Sequence, residues 1–540
     1  MAINTPPGGG LAISRRNFAA LASALPLALA AREADAATPK DTVVIASQID
    51  DIITLDPGEA YEISAQILLS SVYDRLVRYE AEDHTKLVGG VAQSWTIGAD
   101  SKTFTFKLRP NQKFQSGATV TAEDMAWSLQ RVVIMNKSPG FLFTQLGWNK
   151  DNVKTLIKAT DATTLEFKIV EDYSPSMVLN LMATVAASVV EKKVALANEK
   201  DGDFGNGWLK TNSATSGAYK LVSWKANESV TLEANPAYRL AAKTKRVIVR
   251  HVPEPATQRL LLEKGDIDMA WTLQPDQLKA LATNKDVKIE TFPYSGTWYI
   301  NLNLGDERLK NPKVRTALRY LVDYQGMVNS FLKGAFTVQQ TFLPIGFPSA
   351  IAYNPYKLDV AKAKALLAEA GYPNGFEIKL ECKNASPLTE IAQSVQQTMG
   401  LAGVKVNIVT GDAKTVIGNL RARRHQMNLI SWTPDYLDPH TNAGVFAMND
   451  DDADDKPKPL AWRDHYFDPQ ANKMTMAAVK ETDPKKRDQM YADLQKKITD
   501  EGPYILMFQP LTPVATRANV KGYKPGIVED LYFLRTITKS

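Results

Sequence analysis

From about residue 254, stretches with helical apolar spacing alternate with short apolar runs of strand character. The helical patterns fall at 254–264, 274–283, 312–322, 359–370, 387–402 and 412–423. The strand patterns fall among them at 297–303, 376–382, 404–410 and 427–431. Strands separated by helices pair as parallel neighbours, with the helices as crossovers packed on the sheet. This rhythm commits the second half of the chain to an α/β architecture.

The first half reads differently. Thr42–Ala46 is a strand pattern, and 103–108 and 165–169 alternate as half-buried strands should. Leu55-Asp56-Pro57-Gly58 is a turn, because Pro fixes φ and Gly tolerates the positive region. Ile63 to Val77 has helical spacing, and Thr121 with Asp124 forms a capping box that opens a helix through Arg131. A loop with three glycines at 201–207 marks a lobe boundary, and a β-rich block follows at 217–224, 229–235 and 246–252. Late in the chain come a helix at 483–497 and an apolar strand at 504–508. There is no fixed-period repeat and no long low-complexity linker, so the lobes are expected to be joined tightly, with the chain crossing between them.

The N-terminus reads as an address. Ser14-Arg15-Arg16-Asn17-Phe18 precedes an apolar stretch, Ala19 to Ala31, and then the small-x-small site Ala34-Asp35-Ala36. The paired arginines resemble a twin-arginine export signal. Cleavage after Ala36 is expected, and the absence of a nearby Cys argues against a lipid anchor. No later stretch approaches the roughly 18 apolar residues of a membrane helix. A free periplasmic protein of a Gram-negative bacterium is the expectation. Basic residues exceed acidic ones by only five charges, well mixed along the chain, which disfavours a nucleic-acid partner. The single cysteine, Cys382, sits in a strand pattern; it excludes an intramolecular disulfide and a cysteine-built metal cluster.

Six segments, in order, carry a resemblance. They are Leu55-Asp56-Pro57 with Val72–Leu76, then Leu108–Phe114 with Ser116-Gly117 and Val120–Asp124, then Ser216–Leu221. Val314–Tyr320 with Asp323, Ala361–Gly371, and Trp432–Pro439 complete the set. Together the chain resembles the bacterial extracellular solute-binding family that serves dipeptide, oligopeptide and nickel ABC importers. The resemblance implies an α/β, type II periplasmic-binding-protein-like fold: two lobes around a cleft plus an inserted third lobe. Lobe I would combine 38–73, 213–300 and 505–540; the inserted lobe II would span 74–212, and lobe III 301–504. It also implies a binding protein, monomeric and without cofactor, that closes on a small peptide or peptide-like solute and hands it to a membrane permease.

A peptide ligand presents an ammonium, and an ammonium needs a carboxylate that stays with it out of water. Asp435, in a Pro-flanked loop after an apolar strand, is the candidate, and in peptide-binding relatives the Asp at this motif position pairs with the ligand's amino group. Trp432 would wall a pocket. Thr433, with Tyr61 and Ile63 on the opposing lobe, matches segments whose backbone pairs with an extended peptide in relatives. Arg421, Arg423 and Arg424 read as a solvated helix face. The run Asp450, Asp451, Asp452, Asp454, Asp455 reads as an exposed loop, or as a negative rim for cationic ligands. His425, His440 and His465 match no metal spacing, so no metal is assigned. No nucleophile-elbow, zincin, phosphate-loop or dinucleotide motif occurs, so no enzyme activity is expected. A non-peptide solute (an opine, a short oligosaccharide or chelated nickel) is the alternative ligand class, and an exported peptidase or amidohydrolase the more distant one.

Overall fold

The computed structural model describes residues 38–540, apart from 82, 85 and 529–531. The N-terminal address lies outside the described residues. No helix among the described residues is long and apolar enough to cross a membrane.

One sheet runs through the molecule. Its strands follow the order Lys405–Gly411, Glu377–Lys383, Met427–Trp432, Thr297–Leu302, Tyr504–Arg517, Met269–Ala270, Thr42–Ser47, Arg246–His251, Ser229–Ala234 and Tyr219–Lys225. Glu377–Lys383 is parallel to both Lys405–Gly411 and Met427–Trp432, with the helices Leu388–Gly400 and Ala413–Arg421 between them in sequence. This is the crossover arrangement that the rhythm requires. Thr297–Leu302 differs, running antiparallel to both its neighbours. It brings the chain into this half of the molecule while Tyr504–Arg517 takes it out, so the two must point in opposite directions.

Tyr504–Arg517 extends well past the expected 504–508. Pro510 and Pro513 read as strand breakers, since each lacks a ladder donor. Yet Phe508, Gln509 and Pro510 pair with Phe336–Val338, and Leu511–Arg517 pair with Val287–Pro293. Pro510 sits where the strand changes partners, from Phe336–Val338 to Val287–Pro293, and Pro513 lies within the second ladder, opposite Thr291. The chain therefore passes between the halves twice, side by side, at 294–296 and 509–511. Tyr294 N donates to Pro510 O at 3.2 Å. The Gln509 amide donates to Tyr294 O at 3.1 Å and to Ile345 O at 2.9 Å, and its oxygen accepts from Ile345 N at 2.8 Å. Gly296 is required here, because a Cβ would lie 2.8 Å from Pro510 Cγ.

The inserted region builds its own four-stranded antiparallel sheet, in the order Ala92–Ile97, Thr103–Leu108, Thr164–Lys168, Ile157–Asp161. Alternation works as read: Phe104, Phe106 and Leu108 are buried. Phe167 stacks on Phe104 and Phe106 with centroids 5.1 and 5.4 Å away. Helix Ala122–Met135 covers this sheet and starts at the expected box, with Asp124 N donating to Thr121 Oγ1 at 3.2 Å and Thr121 N to Asp124 Oδ2 at 3.0 Å. Thr121→Ala should cost about 1 kcal/mol in a urea titration, and no change would mean the cap is idle. The helix read at 63–77 ends at Val72 instead. Beyond it Arg75 O accepts from Val91 N at 2.7 Å and Leu76 O from Ala92 N at 3.0 Å, so pairing outside the helix takes over these backbone groups.

Candidate functional site

The site begins with the Leu55–Gly58 turn. Asp56 is fully buried and caps its own turn, accepting from Gly58 N at 2.9 Å. Arg131 of the inserted lobe grips the same carboxylate with both terminal nitrogens, at 2.8 and 2.5 Å, and Asn206 Nδ2 adds a bond at 2.7 Å. This anchored turn delivers Tyr61, whose ring meets Phe141 edge-on at 5.8 Å. The Tyr61 backbone is engaged locally: its carbonyl accepts from Gln66 Nε2 at 2.8 Å and its N–H donates to Glu62 Oε2 at 3.3 Å. Its hydroxyl points across the cleft and donates to Asp435 Oδ1.

On the other side, strand Met427–Trp432 ends in the Thr433–Pro439 loop. The loop is braced from below by Asp438. That buried carboxylate pairs with Arg487 at 2.8 Å, accepts from His440 N at 3.0 Å, and accepts from Asn180 of the inserted lobe at 3.3 Å. Asp435 N donates to Thr441 Oγ1 at 3.0 Å, which fixes the start of the side chain. The residue keeps partial water contact, but its carboxyl lies deep in the cleft. Desolvation raises its pKa from 3.8 to about 6, against the lowering effect of the Tyr61 hydrogen bond.

Of the five residues singled out from sequence, Asp435 and Tyr61 are in direct contact. Trp432 is half-buried against an apolar cluster drawn from residues 76–189 and from segments beyond residue 298, and its Nε1 donates to Asn442 Oδ1 at 3.1 Å. Thr433 is half-buried beside it. Ile63 starts the helix Ile63–Val72, is 49% exposed, and lines a cavity of about 380 Å³ on the lobe I side. Sequence reasoning missed the aromatic wall of that cavity, formed in part by Trp271, Tyr294, Tyr523 and Tyr532. The only local signal was a large aromatic just past a short apolar strand, and its partners lie some 250 residues away in the chain.

The surrounding charges require a correction. Arg421 and Arg424 are exposed as read, but Arg423 is not a solvated helix residue. It lies past the helix end at φ 56°, with only 9% of its side chain exposed. Its guanidinium sits 3.3 Å from the Trp462 ring centroid, donates to Trp462 O at 2.8 Å and pairs with Asp452 at 2.6 Å. Asp452 also meets His465 at 2.8 Å, and Lys456 lies 3.8 Å from Asp455 and 4.0 Å from Asp451. The acidic run is therefore partly neutralised from within. His425 pairs with Asp464 at 2.9 Å, while burial lowers the pKa of His440 to about 4. The three histidines thus serve separate local contacts, and no group of three or more metal-ligating side chains forms among the described residues. Cys382 is fully buried, and desolvation raises its thiol pKa.

The family model for bacterial extracellular solute-binding proteins, family 5 (middle), matches residues 86–454. The chain is 30% identical over 515 residues to the probable D,D-dipeptide-binding periplasmic protein of Escherichia coli (strain K12), covering 94% of this chain and 96% of that one. It is 26% identical over 505 residues to the glutathione-binding protein of Salmonella typhimurium, covering 93% of this chain and 95% of that one. Among solved structures, it resembles the unliganded open form of the periplasmic murein tripeptide binding protein MppA. That likeness has a TM-score of 0.77 at 23% identity, over 93% of this chain and 98% of that one. The fold is thus the α/β, type II periplasmic-binding-protein arrangement.

Proposed function

The chain belongs to the bacterial extracellular solute-binding proteins of family 5, and on that premise we propose that it captures a short peptide with a free amino end and delivers it to an ABC importer. One observation carries the ligand class. Asp435 is a desolvated carboxyl, raised to about 6 by burial against the lowering effect of a neutral Tyr61 hydroxyl, with no cation contributing among the described residues. Such a carboxylate gains most from a ligand ammonium. The two curated relatives, named for a D,D-dipeptide and for glutathione, support the same class.

Lobe I comprises 38–73, 213–300 and the end of the chain, lobe II 74–212 and lobe III the segment from 301. The pairing of Tyr504–Leu506 and Phe508 with Thr297–Leu302 supports a return crossing near 509–511. The adjacent crossings at 294–296 and 509–511 form the hinge. Closure brings Tyr61 to Asp435, and a ligand that binds the closed form more tightly shifts the population toward it. The protein works as a monomer in the periplasm, exported through its N-terminal address, and its closed form docks on the permease.

A thermal-shift screen on ligand-stripped Ala37–Ser540 tests this reading. A ligand at about 100 times its dissociation constant adds roughly 2.7 kcal/mol. Free di- and tripeptides should stabilise the protein and their N-acetylated counterparts should not. Silence toward all peptides, with a response to an opine, an oligosaccharide or Ni²⁺, would overturn the peptide assignment.

A further inference from the structure

The lobe I wall holds the cavity of about 380 Å³ at the C-terminal ends of three strands. Ser47 ends Thr42–Ser47, Trp271 follows Met269–Ala270, and Tyr294 follows Val287–Pro293. Crevices beyond the carboxyl ends of strands in α/β sheets are where ligands bind. The Trp271 indole stacks on Tyr523 at 5.8 Å and 21°, and meets Tyr532 edge-on at 6.1 Å and 70°. Ile63, at 49% exposure, gives the lining another large apolar side chain still open to water. Among the described residues, the charged ones lining the cavity are Asp50 and Asp51, with no lysine, arginine or histidine.

Resting on the peptide reading above, we propose that this cavity is a side-chain subsite for a bulky apolar residue of the bound peptide, above all an aromatic one, and that it turns away acidic side chains. A ring entering it finds partners for offset and edge-on contact. It also covers the exposed face of Ile63, which removes apolar surface from water. A carboxylate entering it meets two carboxylates and no cation, so it loses hydration without gaining a partner. The subsite neighbours the residue that meets the amino-end anchor, because Ile63 follows Tyr61 by two residues and their Cα atoms lie within about 7 Å. It therefore serves one of the first two ligand residues.

The test uses the mature chain and five dipeptides, Ala-Ala, Phe-Ala, Ala-Phe, Glu-Ala and Ala-Glu, by calorimetry. The better of the two Phe dipeptides should bind about tenfold or more tighter than Ala-Ala, as burial of the added ring carbons requires. The Glu dipeptide of the same order should bind more weakly than Ala-Ala. Trp271→Ala should narrow the Phe-to-Ala ratio to within about twofold, the ring having lost its partner. Ile63→Ser, at a half-exposed position at the start of its helix, should narrow it as well and serves if Trp271→Ala fails to fold. Equal affinities for the five dipeptides, or a ratio untouched by the folded variants, would overturn the subsite and leave the peptide reading standing. Failure of all five to bind would overturn both.

Discussion

Asp435→Asn is expected to weaken binding of Ala-Ala by about 2–5 kcal/mol, roughly thirtyfold to several thousandfold. Asn keeps the size of the side chain and can still accept from Tyr61, so the substitution removes little but the charge. The ligand ammonium then sits in a desolvated cleft without a counter-charge. The pH dependence follows from the same carboxyl. Without ligand, and with the Tyr61 contact made, its pKa is raised from 3.8 to about 6. A carboxyl with a higher pKa folded than unfolded makes the fold lose stability as pH rises through that window, and above about 6 the full penalty applies. An ammonium ligand relieves it, so affinity should be highest above about pH 6 and decline as pH falls below it, where a proton competes for Asp435. The Asn variant should show a flat profile in this range. Above about pH 6 its ligand-free form should melt no lower than the parent, because the buried charge is gone. Calorimetry of both proteins across the range decides the matter. A loss smaller than about threefold, or a flat parent profile, would remove Asp435 from the site.

Arg131→Met is expected to destabilise the protein by about 3–5 kcal/mol in a urea titration. The Arg131–Asp56 pair is 1% and 0% exposed on its two sides. It is bidentate, and Arg131 Nε also donates to Phe204 O at 2.9 Å. Removing the guanidinium leaves Asp56 buried with Gly58 N and Asn206 as its remaining donors and no cation. Its position raises the stakes further, because the pair ties the inserted lobe to the turn that carries Tyr61. Asp56→Asn added to Arg131→Met should recover part of the loss, since both charges are then absent. A single-variant loss below about 1 kcal/mol would show that the pair is not a structural tie.

Local patterns were readable because their causes are local. The Thr103–Leu108 alternation follows from the two-residue period of a strand, and the start of Ala122–Met135 follows from side-chain bonds spanning three residues. Tyr504–Arg517 runs through Pro510 and Pro513, each of which lacks an N–H. Whether that N–H is needed depends on which strands lie alongside.

The sequence by itself determined the α/β class, the ordered motifs of the family and the candidate carboxylate Asp435. Only the tertiary structure decided what that carboxylate faces: Tyr61, 374 positions away in the chain. The same holds for Arg423, whose residue type is identical to that of its exposed neighbours Arg421 and Arg424, yet which lies stacked on Trp462. It holds again for the wall of Trp271, Tyr523 and Tyr532, assembled from distant segments. Backbone periodicity is a property of neighbours along the chain. Desolvation and charge pairing depend on which groups exclude water from each other, and that is set when distant segments close together.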